Sequence, residues 1–144
     1  MSRAKPKAAA GRKDRYDFFL NPYVDRAFTT CPQCEAKTKL RMFCLFIHVD
    51  PEFLISLNKS CRFCPRCELI IVKKVDVEHY LATVFEERAP EMIGNNYLVM
   101  GTVSRELHQQ GKAGKLMPKQ AFDNLTWFRR HLEFTAGGWE RSPA

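Results

Sequence analysis

CRFCPRC, residues 61–67, carries three cysteines in two overlapping C-x-x-C pairs, and the choice between them sets how the surrounding chain folds. Cys61 with Cys64 would frame CRFC, whereas Cys64 with Cys67 frames CPRC. An earlier stretch settles the register: CPQC, Cys31–Cys34, repeats the second form. In TTCPQCEAKTKLR and RFCPRCELIIVKK each C-P-x-C is followed by glutamate and then by a strand-prone segment. Cys31, Cys34, Cys64 and Cys67 are therefore expected to form two matching knuckles. Proline after the first cysteine presets φ and removes an amide donor, which suits a turn whose later N–H groups point at the sulfurs. Four thiolates from two such turns match the tetrahedral preference of zinc. The 29 residues between Cys34 and Cys64 leave room for a strand out, a short helical turn and a return.

At these two motifs the chain resembles the zinc ribbon superfamily, in its rubredoxin-like variety, over residues about 29–75. The resemblance implies one structural zinc ion, iron being the other metal that rubredoxin-like knuckles hold. One departure stands out. Such knuckles usually place glycine just after the second cysteine, and here Glu35 and Glu68 occupy those positions. A left-handed backbone at glutamate costs on the order of 1 kcal/mol. Of the two remaining cysteines, Cys44 lies in an apolar run and reads as a small buried hydrophobe. Cys61 reads as packing beside the site, with replacement of Cys67 as its alternative. A thioredoxin-like redox role for either CPxC fits poorly, because that motif is followed by a helix and strands follow here.

A chain of 144 residues, 45% hydrophobic and 27% charged, is long enough for one core and too short for two independent ones. Six cysteines without a secretory-type leader point to a reducing, cytoplasmic setting and to metal ligation rather than disulfides. No apolar run approaches the roughly 18 residues of a membrane span. The net charge of +7 is unevenly spread: residues 1–15 hold six cations against Asp14, which is +5 and leaves +2 for the rest. The expected organisation is a disordered basic arm over residues 1–15 and a single domain over 16–144. That domain would contain the ribbon at about 29–75 and a C-terminal α/β extension at about 76–139. The fold class expected is α+β: a small zinc-ribbon β-sheet with packed helices.

Segment by segment, the aromatic lead-in YDFFLNPYVDRAF carries an Asn21-Pro22 turn signal. MFCLFIHV, Met42–Val49, is apolar at both alternating sets and predicts a strand covered on both faces. Asp50-Pro51 reads as the start of a short helical turn through PEFLISLN. LIIVKKV predicts another strand, and Asp76 reads as the N-cap of a helix whose stripe is Val77, Tyr80, Leu81, Val84 and Phe85, ended by Pro90. YLVMGTV predicts a strand. GKAGKLM reads as a flexible basic loop that lacks P-loop spacing, and Pro118 as the opening of a last helix with Ala121, Leu125, Phe128 and Leu132 in one stripe.

The composition supports three functional classes. The first is a non-catalytic zinc-binding module that associates with nucleic acid. Its phosphate-binding candidates are Arg62, Arg66, Lys73 and Lys74, and Phe63 or Trp127 would stack on bases. The second is a protein-interaction adaptor with a structural zinc site. The third, a metalloenzyme, ranks last: four thiolates leave no open metal position, and His48, His79, His108 and His131 are scattered singly with no nucleophile–base pair.

Overall fold

The computed structural model of this chain describes residues 13–112 and 122–134. Their strands are β1 (Lys13–Asp14), β2 (Asp17–Asn21), β3 (Lys39–Val49), β4 (Phe53–Cys64), β5 (Leu69–Lys73), β6 (Tyr97–Thr102), β7 (Thr126–Trp127) and β8 (Arg130–Leu132). Two α-helices, α1 (Lys74–Arg88) and α2 (Arg105–Lys112), and a 3-10 turn at Pro90–Met92 complete the regular structure with residues 122–124, which are also helical. The chain clusters into two compact units: Met1–Arg15, Met42–Lys59 and Asn95–Phe128 make one, and Tyr16–Arg41, Ser60–Gly94 and Arg129–Ala144 make the other.

In the first unit β3 pairs antiparallel with β6, from Leu45↔Thr102 to Val49↔Tyr97, with a bulge between Phe46 and Ile47. β6 pairs antiparallel with β7, and β7 pairs parallel with β1. From Phe43 on, the apolar residues of β3 are buried on both alternating sets, Phe43, Leu45, Ile47 and Val49 on one and Cys44 and Phe46 on the other, whereas Met42, expected to be covered with the second set, is exposed, as is Leu40. Cys44 and Phe46 form a core with Val103, Leu107 and Leu125. Ser104 opens α2, its hydroxyl accepting a hydrogen bond from the Leu107 N–H at 3.0 Å, a cap of the usual kind.

Gly101 on β6 sits opposite Trp127 where the strands approach so closely that a Cβ would overlap the carbonyl oxygen of Thr126. No rotamer relieves a clash with backbone. Gly101→Ala is expected to lower stability by about 3 kcal/mol, the upper end for overpacking a closed site. Urea unfolding checks this, and an unchanged midpoint would show that β6 and β7 part without cost.

The second unit carries the cysteine knuckles. Here the end of β4 pairs antiparallel with β5, from Arg62↔Ile71 to Cys64↔Leu69. β5 pairs parallel with β2, and β2 pairs parallel with β8. Parallel strands buried on both faces read as continuous apolar runs. Leu69, Ile70, Ile71 and Val72 of β5 and Phe18 and Phe19 of β2 are all buried in this way. α1 packs against β5 and buries Val77, Leu81 and Phe85, while Tyr80 and Val84 of the expected stripe are half-buried.

The expected α+β zinc ribbon with packed helices is not what forms. The described residues are mainly a mixed β structure of eight strands, with parallel as well as antiparallel pairs. Three local readings change with it. PEFLISLN is not a helical turn: Asp50–Glu52 make a tight turn, and Phe53–Cys64 continue as β4, in keeping with the aromatic and β-branched content of FLIS. α1 begins at Lys74, so Asp76 lies in its first turn, and Lys73 occupies the N-cap without a capping bond from its side chain. The helix expected to open at Pro118 and to carry Ala121, Leu125, Phe128 and Leu132 in one stripe is replaced from Thr126 on by β7 and β8. Two of its apolar residues are still buried, Leu125 and Phe128, but each flanks β7 rather than lying on a helix.

Of the basic arm, residues 1–12 lie outside the described residues, while Lys13–Asp14 form β1. Ala113–Ala121 and Thr135–Ala144, which contain most of the GKAGKLM segment, Pro118 and the C-terminal tail, also lie outside the described residues. Among the described residues no helix is long and apolar enough to cross a membrane.

Candidate metal centre

Both knuckles are built from amides turned toward sulfur. In the first, the Cys31 N–H donates to the Ala36 carbonyl at 2.8 Å and the Glu35 N–H to the Cys31 carbonyl at 2.9 Å, which closes the turn. The Gln33 N–H then points at Cys31 Sγ at 3.3 Å. In the second, the Cys67 N–H points at Cys64 Sγ at 3.4 Å. The residue after each second cysteine enters the left-handed region, Glu35 at φ 67° and Glu68 at φ 56°. Glutamate therefore adopts the conformation that glycine supplies more cheaply, and the two motifs match in backbone as well as in sequence.

The result is a closed group of sulfurs. Sγ atoms of Cys31, Cys34, Cys64 and Cys67 all lie within 4.8 Å of one another. Cys31 and Cys67 are 4.0 Å apart and Cys34 and Cys64 3.5 Å, too far for disulfides, whose S–S bond is about 2.05 Å. Tetrahedral Zn–S bonds of about 2.3 Å would set sulfurs roughly 3.8 Å apart, so the donor set fits a four-coordinate metal ion. Cys31 and Cys64 are buried; Cys34 and Cys67 are half-buried.

The electrostatics point the same way. Burial pushes the Cys31 thiol up, and burial together with the neighbouring sulfurs pushes Cys67 up strongly. Cys34, helped first by the Ala36 N–H, is drawn down to about 7. Four thiolates in one pocket repel one another, and a cation at their centre is what lets all four ionise. With every position taken by sulfur, a four-coordinate ion would have no place for a water molecule.

The thiols belong to the core of this unit. Cys31 and Cys64 pack in one buried cluster with Phe19, Phe28, Leu69 and Ile71, and Tyr23, Cys34, Ala36, Cys67, Leu132 and Phe134 pack against it. The turn at Asn21 that returns the chain toward the first knuckle is held by its side chain, which accepts from the Tyr23 N–H at 2.9 Å and donates to the Arg26 carbonyl at 2.8 Å. Cys61 is buried on β4 outside the sulfur group, and Cys44 lies in the first unit, its Sγ 3.4 Å from Asn58 Oδ1.

The four cationic candidates divide. Arg62 is half-buried on β4 and Arg66 is exposed in the second knuckle. Lys73 donates to the Val24 carbonyl at 3.4 Å, and Lys74 pairs with Glu78 along α1 at 3.5 Å. Phe63 is buried, with Arg41 5.1 Å above its ring, and Trp127 is half-buried and stacked on Phe122. Of the histidines, His48 lies 3.8 Å from Asp50, and buried His108 meets the Ser56 hydroxyl at 2.6 Å. What sequence reading missed is the set of charges beside the second knuckle. Buried Asp17 faces Arg129 and Arg130, and Arg129 reaches the backbone of Cys67. An Arg-Arg pair more than a hundred residues from one aspartate carries no local signal.

Comparison with the models of known families, with characterised proteins and with solved structures finds no match to this chain.

Proposed function

We propose that this protein is a non-catalytic module organised by one structural zinc ion on Cys31, Cys34, Cys64 and Cys67, and that it associates with nucleic acid through the phosphate backbone. The observation behind the zinc assignment is the closed four-sulfur group with amides directed at its sulfurs. The phosphate reading is supported by charge placement in the same unit. Lys37, Lys39, Arg62 and Arg66 flank the knuckles and make no ion pair with a described residue. α1 is the opposite, with Asp76, Glu78, Glu86 and Glu87 against Lys74 and Arg88. Burial of Phe63 removes it as a base-stacking platform, so the contact is electrostatic.

The same burial favours the second reading, a protein-interaction adaptor, for which exposed Leu40 between Lys39 and Arg41 would supply an apolar contact. A salt titration separates the two. Phosphate binding predicts a log–log slope of about 0.9 per neutralised phosphate on duplex. Replacing Lys37, Lys39, Arg62 and Arg66 together by alanine should reduce that slope by several units, and deleting residues 1–12, which leaves β1 in place, should reduce it further. Absence of binding to duplex and single strands at low salt would favour the adaptor.

A further inference from the structure

We infer that Arg129 is a positioning residue for the metal centre, clamping the second knuckle onto β2 so that metal affinity depends on a side chain 62 residues away from the nearest ligand. The inference rests on reading the four thiols as a zinc site. Its geometry is specific. An N–H of Arg129 Nη2 donates to the Cys67 carbonyl at 3.3 Å, the same nitrogen lies 3.8 Å from Glu68 Oε1, and Nε lies 3.4 Å from Asp17 Oδ1. Asp17 is the anchor: its side chain is 4% exposed, and Arg130 holds its other oxygen at 2.6 Å. The backbone repeats the connection, the Asp17 N–H donating to the Glu68 carbonyl at 2.9 Å and the Arg129 N–H to the Tyr16 carbonyl at 2.8 Å. One guanidinium thus ties the last ligand of the second knuckle and the left-handed residue after it to a buried carboxylate on the neighbouring strand.

The chain that follows Arg129 is committed to the same place. Arg130–Leu132 pair with Asp17–Phe19, and Leu132 and Phe134 pack on the cluster that contains Cys31 and Cys64. Tyr23 Oη donates to the Phe134 carbonyl at 3.0 Å. Groups that orient a ligand from outside the coordination sphere commonly change metal affinity by 10–100-fold when removed. Affinity coupling is reciprocal, so zinc would strengthen the hold on residues 129–134 by the same factor that the clamp adds to zinc.

The test uses the full chain and zinc alone, titrated against a chromophoric chelator, with hydrogen exchange of the zinc-saturated proteins. Arg129→Ala is expected to weaken zinc about 10-fold or more and to speed exchange at residues 130–132 relative to β5. Arg88→Ala, which removes an equal charge from the last turn of α1, is expected to leave affinity near that of the wild type. Equal affinity of Arg129→Ala and wild type, or equal losses in Arg129→Ala and Arg88→Ala, would overturn the clamp. Should Arg129→Ala not fold, Arg129→Lys decides: it keeps the charge but not the fork, so an affinity below wild type supports the clamp and wild-type affinity refutes it. Wild-type protein that takes up no zinc refutes the zinc reading itself, a result distinct from zinc uptake insensitive to Arg129.

Discussion

Cys64→Ser protein is expected to bind no zinc and to lose the folded second unit, as are serine variants at Cys31, Cys34 and Cys67. Serine at pH 7 keeps its proton and offers a hard oxygen, so the ion would be left with three sulfurs and an open position. Structural zinc sites contribute about 10–16 kcal/mol of apparent binding free energy at pH 7, comparable with or larger than the 5–15 kcal/mol that typically separates native from unfolded states. Cys31 and Cys64 are also core residues beside Phe19 and Leu69, so loss of the ion leaves thiols and hydroxyls repelling or unpaired in an apolar cluster. Chelation should reproduce the effect in the unaltered chain.

The controls are the other two cysteines. Cys61→Ser and Cys44→Ser should retain one zinc per chain, Cys61 because its sulfur stands outside the four-sulfur group and Cys44 because it lies in the other unit, beside Asn58. Elemental analysis with circular dichroism reads all six variants. Retention of metal by Cys67→Ser together with its loss from Cys61→Ser would reverse the register.

Phe19→Ala should cost about 3–5 kcal/mol even with zinc saturating, the range for removing a buried aromatic ring from a packed core. Phe19 is 1% exposed. Its ring meets Phe28 edge-on at 5.2 Å and Phe134 at 4.9 Å, and its backbone pairs with Ile71 on one side and Leu132 on the other. The cavity would therefore open between the first knuckle, β5 and β8 together. Urea unfolding at fixed free zinc measures the cost. A loss under about 1 kcal/mol would mean that the cluster collapses to fill the space, against the packing seen around β2.

Several features were legible because their causes lie within a few residues. The register of the knuckles follows from a proline and two cysteines in four positions, and the sulfurs of Cys31, Cys34, Cys64 and Cys67 do converge. The unusual glutamates marked two of the places where the backbone turns left-handed; Tyr16 and Phe28, which do so as well, carried no such mark. β3 and β5 announced themselves as continuous apolar runs, and α1 by its helical stripe. The Asn21-Pro22 turn was read from a side chain that bonds its own neighbours.

What only tertiary structure decided is which segments pair. FLIS in PEFLISLN, and Leu125, Phe128 and Leu132 further on, suit helix or strand by composition. FLIS and Leu132 become strand where partners lie alongside, Leu125 and Phe128 flank β7 outside any strand, and β7 and β8 each take a parallel partner from the other end of the chain, β7 pairing with antiparallel β6 as well. Parallel pairing needs a long crossover and leaves no turn to read. Asp17 and Arg130, 113 residues apart, meet for the same reason, and with Arg129 they brace the second knuckle. The ligands are written in local spacing because one tight turn places each pair of sulfurs; the brace is not, because its charges become neighbours only when β8 is laid beside β2.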